Sequence, residues 1–85
     1  MTKRQIKLTK PVLDFLHSLD GGQSGDVQIH AAVNETLGGY TPLTELNEVL
    51  ELLDRNGWIL TVGSRFKGSL RSLTDAGAAV RLEMR

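Results

Sequence analysis

Apolar residues recur at helical spacing in several stretches of the chain, and loop-forming residues separate these stretches. The spacing predicts a first helix over 10–20, with Thr9 as its cap and two glycines at its end. A second helix is predicted over 27–37, after a glycine-rich segment and before another pair of glycines. Val27 and Ile29 also alternate with polar neighbours, which leaves a short strand just before this helix as an alternative.

A third helix is predicted over 42–56, because Thr41 and Pro42 form a start signal and Gly57 ends the pattern. Its apolar residues make one continuous stripe, which would face the core. The stripe consists of Leu43, Leu46, Val49, Leu50 and Leu53.

The last third of the chain predicts a β-hairpin and a final helix. Aromatic and β-branched residues over 58–62 are typical of a strand, and the run over 69–73 can pair back on it after a loop over 63–68. Thr74 and Asp75 can then cap a last helix.

Three helices, a hairpin that follows the third directly, and a last helix are the element order of the winged helix-turn-helix fold. The sequence therefore predicts an α+β domain that is mainly α, in which the hairpin forms the wing. We expect this single domain to span 9–85, after a basic N-terminal arm over 1–8.

Composition excludes several kinds of function. The 85 residues fit one small domain, and the absence of cysteine removes thiolate nucleophiles and cysteine-based zinc sites. His17 and His30 lie on different predicted helices, so no metal site is expected, and no nucleophile elbow or phosphate-binding glycine motif occurs. We expect neither an enzyme nor a cofactor. No apolar run reaches the length of about 18 residues typical of a membrane span, and no signal peptide is visible, so we expect a cytoplasmic protein.

Charge is distributed unevenly along a sequence whose net charge is zero. The segment 1–10 carries +4, the segment 11–60 carries −7, and the segment 61–85 carries +3. Basic ends around an acidic middle predict a surface divided between the two signs, and this division bears on partners more than the net charge does.

Two motifs give the chain a family resemblance. The stretch LTELNEVLELLDRNGWIL over 43–60 resembles the recognition-helix region of winged-helix regulators. The stretch SLTDAGAAV over 72–80 resembles the segment by which regulators of the MarR and PadR types leave the wing and begin the next helix. The order and spacing of the two motifs, with a hairpin between them, favour a DNA-binding regulator of this kind.

The resemblance implies that the third helix lies in the DNA major groove and that the wing touches the backbone or the minor groove. It assigns groove contacts to Thr44, Glu45, Asn47, Glu48 and Glu51. Three of these are acidic, and each carboxylate close to a phosphate costs about 1 kcal/mol even in water. We therefore expect phosphate contacts from basic and aromatic residues elsewhere, in the wing and the N-terminal arm. These are Lys3, Arg4, Lys7, Arg65, Phe66, Lys67 and Arg71.

Other interpretations of the same residues stay open. The wing cations are also typical of a solvated strand edge that discourages pairing with other chains. Leu52 falls on the acidic side of the third helix, and with Glu45, Glu48 and Glu51 it could form a face for a basic protein partner. Gly77 and its neighbouring alanines allow close helix packing, on the first helix or across the axis of a homodimer, so the oligomeric state is not determined.

Overall fold

The computed structural model describes residues 1–65 and 68–84, apart from the side chain of Ser64. Within these residues the chain forms four helices and a three-stranded antiparallel sheet, which is the predicted α+β, mainly helical architecture. The elements are α1 (Lys3–Ser18), β1 (Ser24–Gly25), α2 (Asp26–Leu37), α3 (Leu43–Arg55), β2 (Ile59–Ser64), β3 (Gly68–Leu73) and α4 (Asp75–Glu83). None of the helices in this part of the chain has the length and hydropathy needed to cross a lipid bilayer.

Helix α1 begins at Lys3 rather than at residue 10, so the expected N-terminal arm is wrong. The side chain of Thr2 accepts a hydrogen bond from the Gln5 N–H at 3.1 Å, and the Gln5 side chain accepts one from the Thr2 N–H at 2.8 Å. This reciprocal capping box starts the helix before the predicted cap. Thr9 is buried within α1, and its hydroxyl donates to the Gln5 carbonyl at 2.7 Å.

Helices α2 and α3 lie within one residue of their predicted bounds. Gly38 ends α2 in the left-handed conformation, with a φ of 68°, which glycine adopts without a steric penalty. The predicted cap of α3 is wrong: Pro42 occupies the cap position, without a side-chain hydrogen bond, and Thr41 is buried in the turn before it.

The sheet has the order β1-β3-β2, with β3 in the centre. Strands β2 and β3 pair from Ile59↔Leu73 to Ser64↔Gly68, so both reach into the predicted loop and the turn between them is shorter than expected. A short strand just before α2 was one of the alternatives left open; strand β1 lies there, but it consists of Ser24 and Gly25, whereas Val27 and Ile29 belong to α2. Strand β1 pairs with the other edge of β3.

The core lies where three helices meet the start of β2. Helix α1 contributes four fully or almost fully buried apolar residues, α3 contributes four, α2 contributes two and β2 contributes one. Because these residues recur at helical spacing, each helix buries one face. They are Leu8, Val12, Leu13, Leu16, Ile29, Val33, Leu46, Val49, Leu50, Leu53 and Ile59. Because Leu8 is fully buried, the N-terminal half of α1 packs against the same core.

Helix α4 approaches the α3–β2 turn through Gly77. A Cβ atom added at Gly77 would overlap the carbonyl oxygen of Trp58 and would lie 2.9 Å from the side chain of Leu73. Thr74 fixes the same approach, because its hydroxyl donates to the Gly57 carbonyl at 2.6 Å and accepts from the Gly77 N–H at 3.0 Å. The helix cap and the glycine together set the position of α4.

The sheet is joined to α2 by a partly buried ion pair. The Nε atom of Arg71 lies 2.9 Å from one carboxylate oxygen of Asp26, and Nη2 lies 3.4 Å from the other. Nη1 donates to the Thr61 hydroxyl at 3.1 Å. Arg71 is only 9% exposed, and Asp26 lies in the first turn of α2, where the helix dipole favours a negative charge.

We expect Gly77→Ala to lower the free energy of unfolding by about 3 kcal/mol, because the new methyl group must displace backbone atoms near Trp58. This loss exceeds the gain in helix propensity of about 1 kcal/mol. Urea unfolding followed by the fluorescence of Trp58 measures the change. Gly39→Ala is the matched control, since an added Cβ there meets nothing within 4 Å. Equal stability of Gly77→Ala and the wild type would contradict the close approach of α4.

We expect Asp26→Ala to lower the free energy of unfolding by about 2–3 kcal/mol, because it leaves the Arg71 guanidinium buried without its carboxylate. The same urea experiment measures it. Glu51→Ala removes an exposed 3.8 Å pair with Arg55 and should cost about 0.5 kcal/mol or less. If the two variants were equally stable, the Arg71–Asp26 pair would not secure the sheet to α2.

Candidate nucleic-acid interface

The base of the wing and the start of α2 share one surface. Gly68 and Ser69 of β3 line a shallow depression together with residues 25–28. The side chains of Val27 and Gln28 are exposed there, and Arg65 is exposed at the turn of the hairpin. Phe66 and Lys67, which were also predicted to contact phosphates, lie outside the described residues.

The structure corrects the prediction for Arg71. Its side chain was expected to contact phosphates, but the guanidinium is buried and bonded to Asp26 and Thr61. Arg71 lies directly opposite Thr61 in the sheet, so both side chains lie on the same face. Its partner Asp26 is 45 positions away in the sequence, and no local pattern connects the two.

The cations of the first ten residues lie on α1 rather than on a separate N-terminal arm. Lys3 and Lys7 are exposed. Arg4 is exposed too, but it forms an ion pair with α3, in which its Nε atom lies 2.6 Å from a Glu45 carboxylate oxygen. Lys7 borders an apolar groove that also includes Leu37 at the end of α2. The wing base and Lys7 therefore lie near opposite ends of α2.

Helix α3 presents a less acidic face than its sequence suggests. Thr44, Glu48 and Glu51 are exposed, as the groove-contact prediction requires. Glu45 is paired with Arg4 across the helices, and Glu51 lies 3.8 Å from Arg55. Among the described residues, Glu48 makes no ion pair within 4 Å. The exposed Glu51–Arg55 pair contributes little to stability. Arg4 and Arg55 nevertheless each offset part of the negative charge on α3.

Two members of the predicted α3 face are turned partly inward. Leu52 is half-buried, and so is Asn47. The Oδ1 atom of Asn47 is buried and has no hydrogen-bond partner in the part of the chain that the structure describes. These two side chains therefore offer a partner less surface than the sequence pattern indicated.

The turn before α3 holds a cluster that the sequence analysis missed. Tyr40 is 75% exposed, and its ring meets the His30 ring edge to face, with centroids 5.5 Å apart. His30 and Asn34 of α2 both bond to the backbone of Thr41. The i, i+4 spacing of His30 and Asn34 was the available signal, since it places both on one face of α2. Within the described residues, no group of three or more potential metal ligands occurs.

No protein-family model matches the sequence, and no curated protein matches it. Solved structures do match. RosR from H. salinarum has a TM-score of 0.80 and 17% identity, over 98% of this chain and 69% of that chain. A mutant of MarR from E. coli, complexed with operator DNA, has a TM-score of 0.65 and 24% identity, over 99% and 53%.

The PcaV transcriptional regulator from Streptomyces coelicolor, in complex with its natural ligand, has a TM-score of 0.62 and 27% identity. The match covers 99% of this chain and 52% of PcaV, so the present chain spans about half the length of both MarR and PcaV. The shared element order and these similarities confirm the fold expected from the two motifs: the chain is a winged helix of the kind found in MarR-like regulators.

Proposed function

We propose that this chain is a DNA-binding domain of a transcriptional regulator, which lays α3 on the duplex and touches the backbone with its wing. The observation that carries the proposal is the similarity of the whole described fold to regulator structures, one of them bound to operator DNA. In winged-helix proteins of this kind, the helix before the wing reads the major groove, and α3 occupies that position.

The electrostatics of α3 are compatible with this arrangement. The carboxylate of Glu45 is matched by Arg4, so the first turns of α3 carry less negative charge than their sequence implies. Thr44 is exposed and neutral at the amino end of the helix, where DNA contacts of recognition helices concentrate. The remaining carboxylates of Glu48 and Glu51 lie further along and limit how deeply α3 can enter a groove.

The wing supplies the positive charge that this face lacks. Arg65 is exposed at the hairpin turn, and Lys67 follows it two positions later in the sequence. The adjacent start of α2 presents the amide of Gln28. Arginine and amide side chains commonly hold a duplex through its phosphates, which sets the register of the protein without specifying a base sequence.

Of the cations predicted to contact phosphates, we propose those of the wing turn rather than those of α1. Arg4 already has a carboxylate partner, and Lys7 borders the apolar groove near the far end of α2. A protein partner for the acidic α3 face would require its apolar residue to be accessible, and Leu52 is half-buried. The limited exposure of Leu52 therefore weighs against a basic protein partner on this face.

The proposal predicts that the wild-type chain binds a random-sequence duplex and that binding weakens between about 50 and 200 mM salt. Arg65→Gln should weaken binding and make the slope of log affinity against log salt shallower by about 0.9, the value for one lost phosphate contact. Fluorescence anisotropy of a labelled duplex measures both quantities.

Lys7→Gln is the control, because it removes the same charge from α1 and should leave the slope unchanged. The absence of wild-type binding at about 50 mM salt would overturn the proposal. An equal change of slope in Lys7→Gln and Arg65→Gln would show general attraction to the chain instead of a contact at the wing.

A further inference from the structure

The backbone of Thr41 is held on both sides by side chains of α2. The Nε2 atom of His30 lies 2.6 Å from the Thr41 carbonyl oxygen, and the Oδ1 atom of Asn34 accepts from the Thr41 N–H at 2.7 Å. Because a carbonyl only accepts, we assign the proton to Nε2, which donates. Thr41 is 1% exposed, so these two bonds satisfy backbone groups that water does not reach.

The same histidine orients an exposed aromatic ring. The rings of His30 and Tyr40 have centroids 5.5 Å apart and an interplanar angle of 81°, which is a favourable edge-to-face arrangement. Tyr40 is nevertheless 75% exposed, so this contact fixes the ring while most of its surface faces outward. An aromatic side chain that is positioned without being buried offers its face and hydroxyl to a partner.

The location of Tyr40 suits a phosphate contact. The residue lies in the turn that leads into α3, and Thr44 is exposed in the first turn of that helix. Tyrosine hydroxyls are among the groups that bond to DNA phosphates. A neutral phenol brings no charge to a face that already carries the carboxylates of Glu48 and Glu51.

We propose that Tyr40 contacts DNA by donating its hydroxyl to a backbone phosphate beside the groove that α3 enters, and that His30 is the residue that positions it. This inference rests on the proposed function. It adds to the wing contact a second contact, which is neutral and lies at the other end of α2 from the wing base.

The first experiment compares wild type, Tyr40→Phe and Tyr40→Ala by anisotropy on the random-sequence duplex. Tyr40→Phe should weaken binding about tenfold, the effect of one hydrogen bond to a charged group, without a change of salt slope, because no cation is lost. Leu82→Ala is the matched control: Leu82 is 74% exposed on α4 and should leave the affinity within about twofold. Thermal melts of all variants should agree with the wild type, since neither side chain is buried.

A second measurement needs no variant. Tyr40 is the single tyrosine of the sequence, so in protein labelled only at tyrosine its ring resonances are identified without assignment of the whole chain. Addition of the duplex should shift them. If the wild type binds DNA while Tyr40→Ala keeps the wild-type affinity and the ring resonances stay in place, the Tyr40 contact is overturned and the proposed function stands. If the wild type does not bind DNA, both the Tyr40 contact and the proposed function are overturned.

The positioning role of His30 is tested by a double-mutant cycle. His30→Gln should weaken DNA binding when Tyr40 is present and should have little further effect in the Tyr40→Ala background, because its effect on binding is exerted only through that ring. His30→Gln retains a donor for the Thr41 carbonyl but lacks the aromatic edge, so it separates support of the turn from orientation of the ring. Additive losses from His30→Gln and Tyr40→Ala would overturn the positioning role.

Discussion

The ion pair between Arg71 and Asp26 determines how the hairpin sits on the helices. Arg71 belongs to the central strand β3, Asp26 begins α2, and the Thr61 hydroxyl on β2 accepts the third bond. One guanidinium therefore joins both strands of the wing to the start of α2. Its planar donors suit this task better than a lysine ammonium, because they reach a carboxylate and a hydroxyl at the same time. The direction of the wing relative to α3 depends on this junction.

Charge in this chain is organised by pairing across elements rather than by segregation. The acidic middle and basic ends of the sequence meet in space: Arg4 reaches Glu45, and Arg81 reaches Asp14 at 2.8 Å. Much of the uneven charge along the sequence is thus neutralised by ion pairs within the fold. Among the described residues, Arg65 at the wing turn, Lys3 and Lys7 on α1 and the neutral donors near the start of α3 stay exposed, so a chain of zero net charge still presents local positive charge to a partner.

The sequence predicts the elements well and their long-range contacts poorly. Regular apolar spacing placed α2 and α3 within one residue, because each helix buries one face. The start of α1 was missed because Thr9 and Pro11 look like a start signal, whereas the capping box at Thr2 decides it. Arg71 was misassigned because the sequence does not distinguish an arginine exposed at the surface from one buried in an ion pair. The exposure of Thr44, Glu48 and Glu51 on α3 followed from its periodicity, but the half-buried positions of Asn47 and Leu52 did not. The Tyr40 cluster was missed because it depends on which side chains meet across a turn.

Helix α2 links the two surfaces that we propose to contact DNA. At its first residue, Asp26 binds Arg71 and so fixes the wing; at His30 and Asn34 it binds Thr41 and so fixes the turn that leads into α3. The helix spans about 16 Å from Asp26 to Leu37, at 1.5 Å per residue, and is itself packed on α1 through Ile29 and Val33. Since both attachments are side-chain bonds to a single helix, the spacing of wing and α3 is set within the chain itself, before the proposed binding to DNA. Such pre-organisation lowers the entropic cost of binding, which matters most for a small interface with few cations.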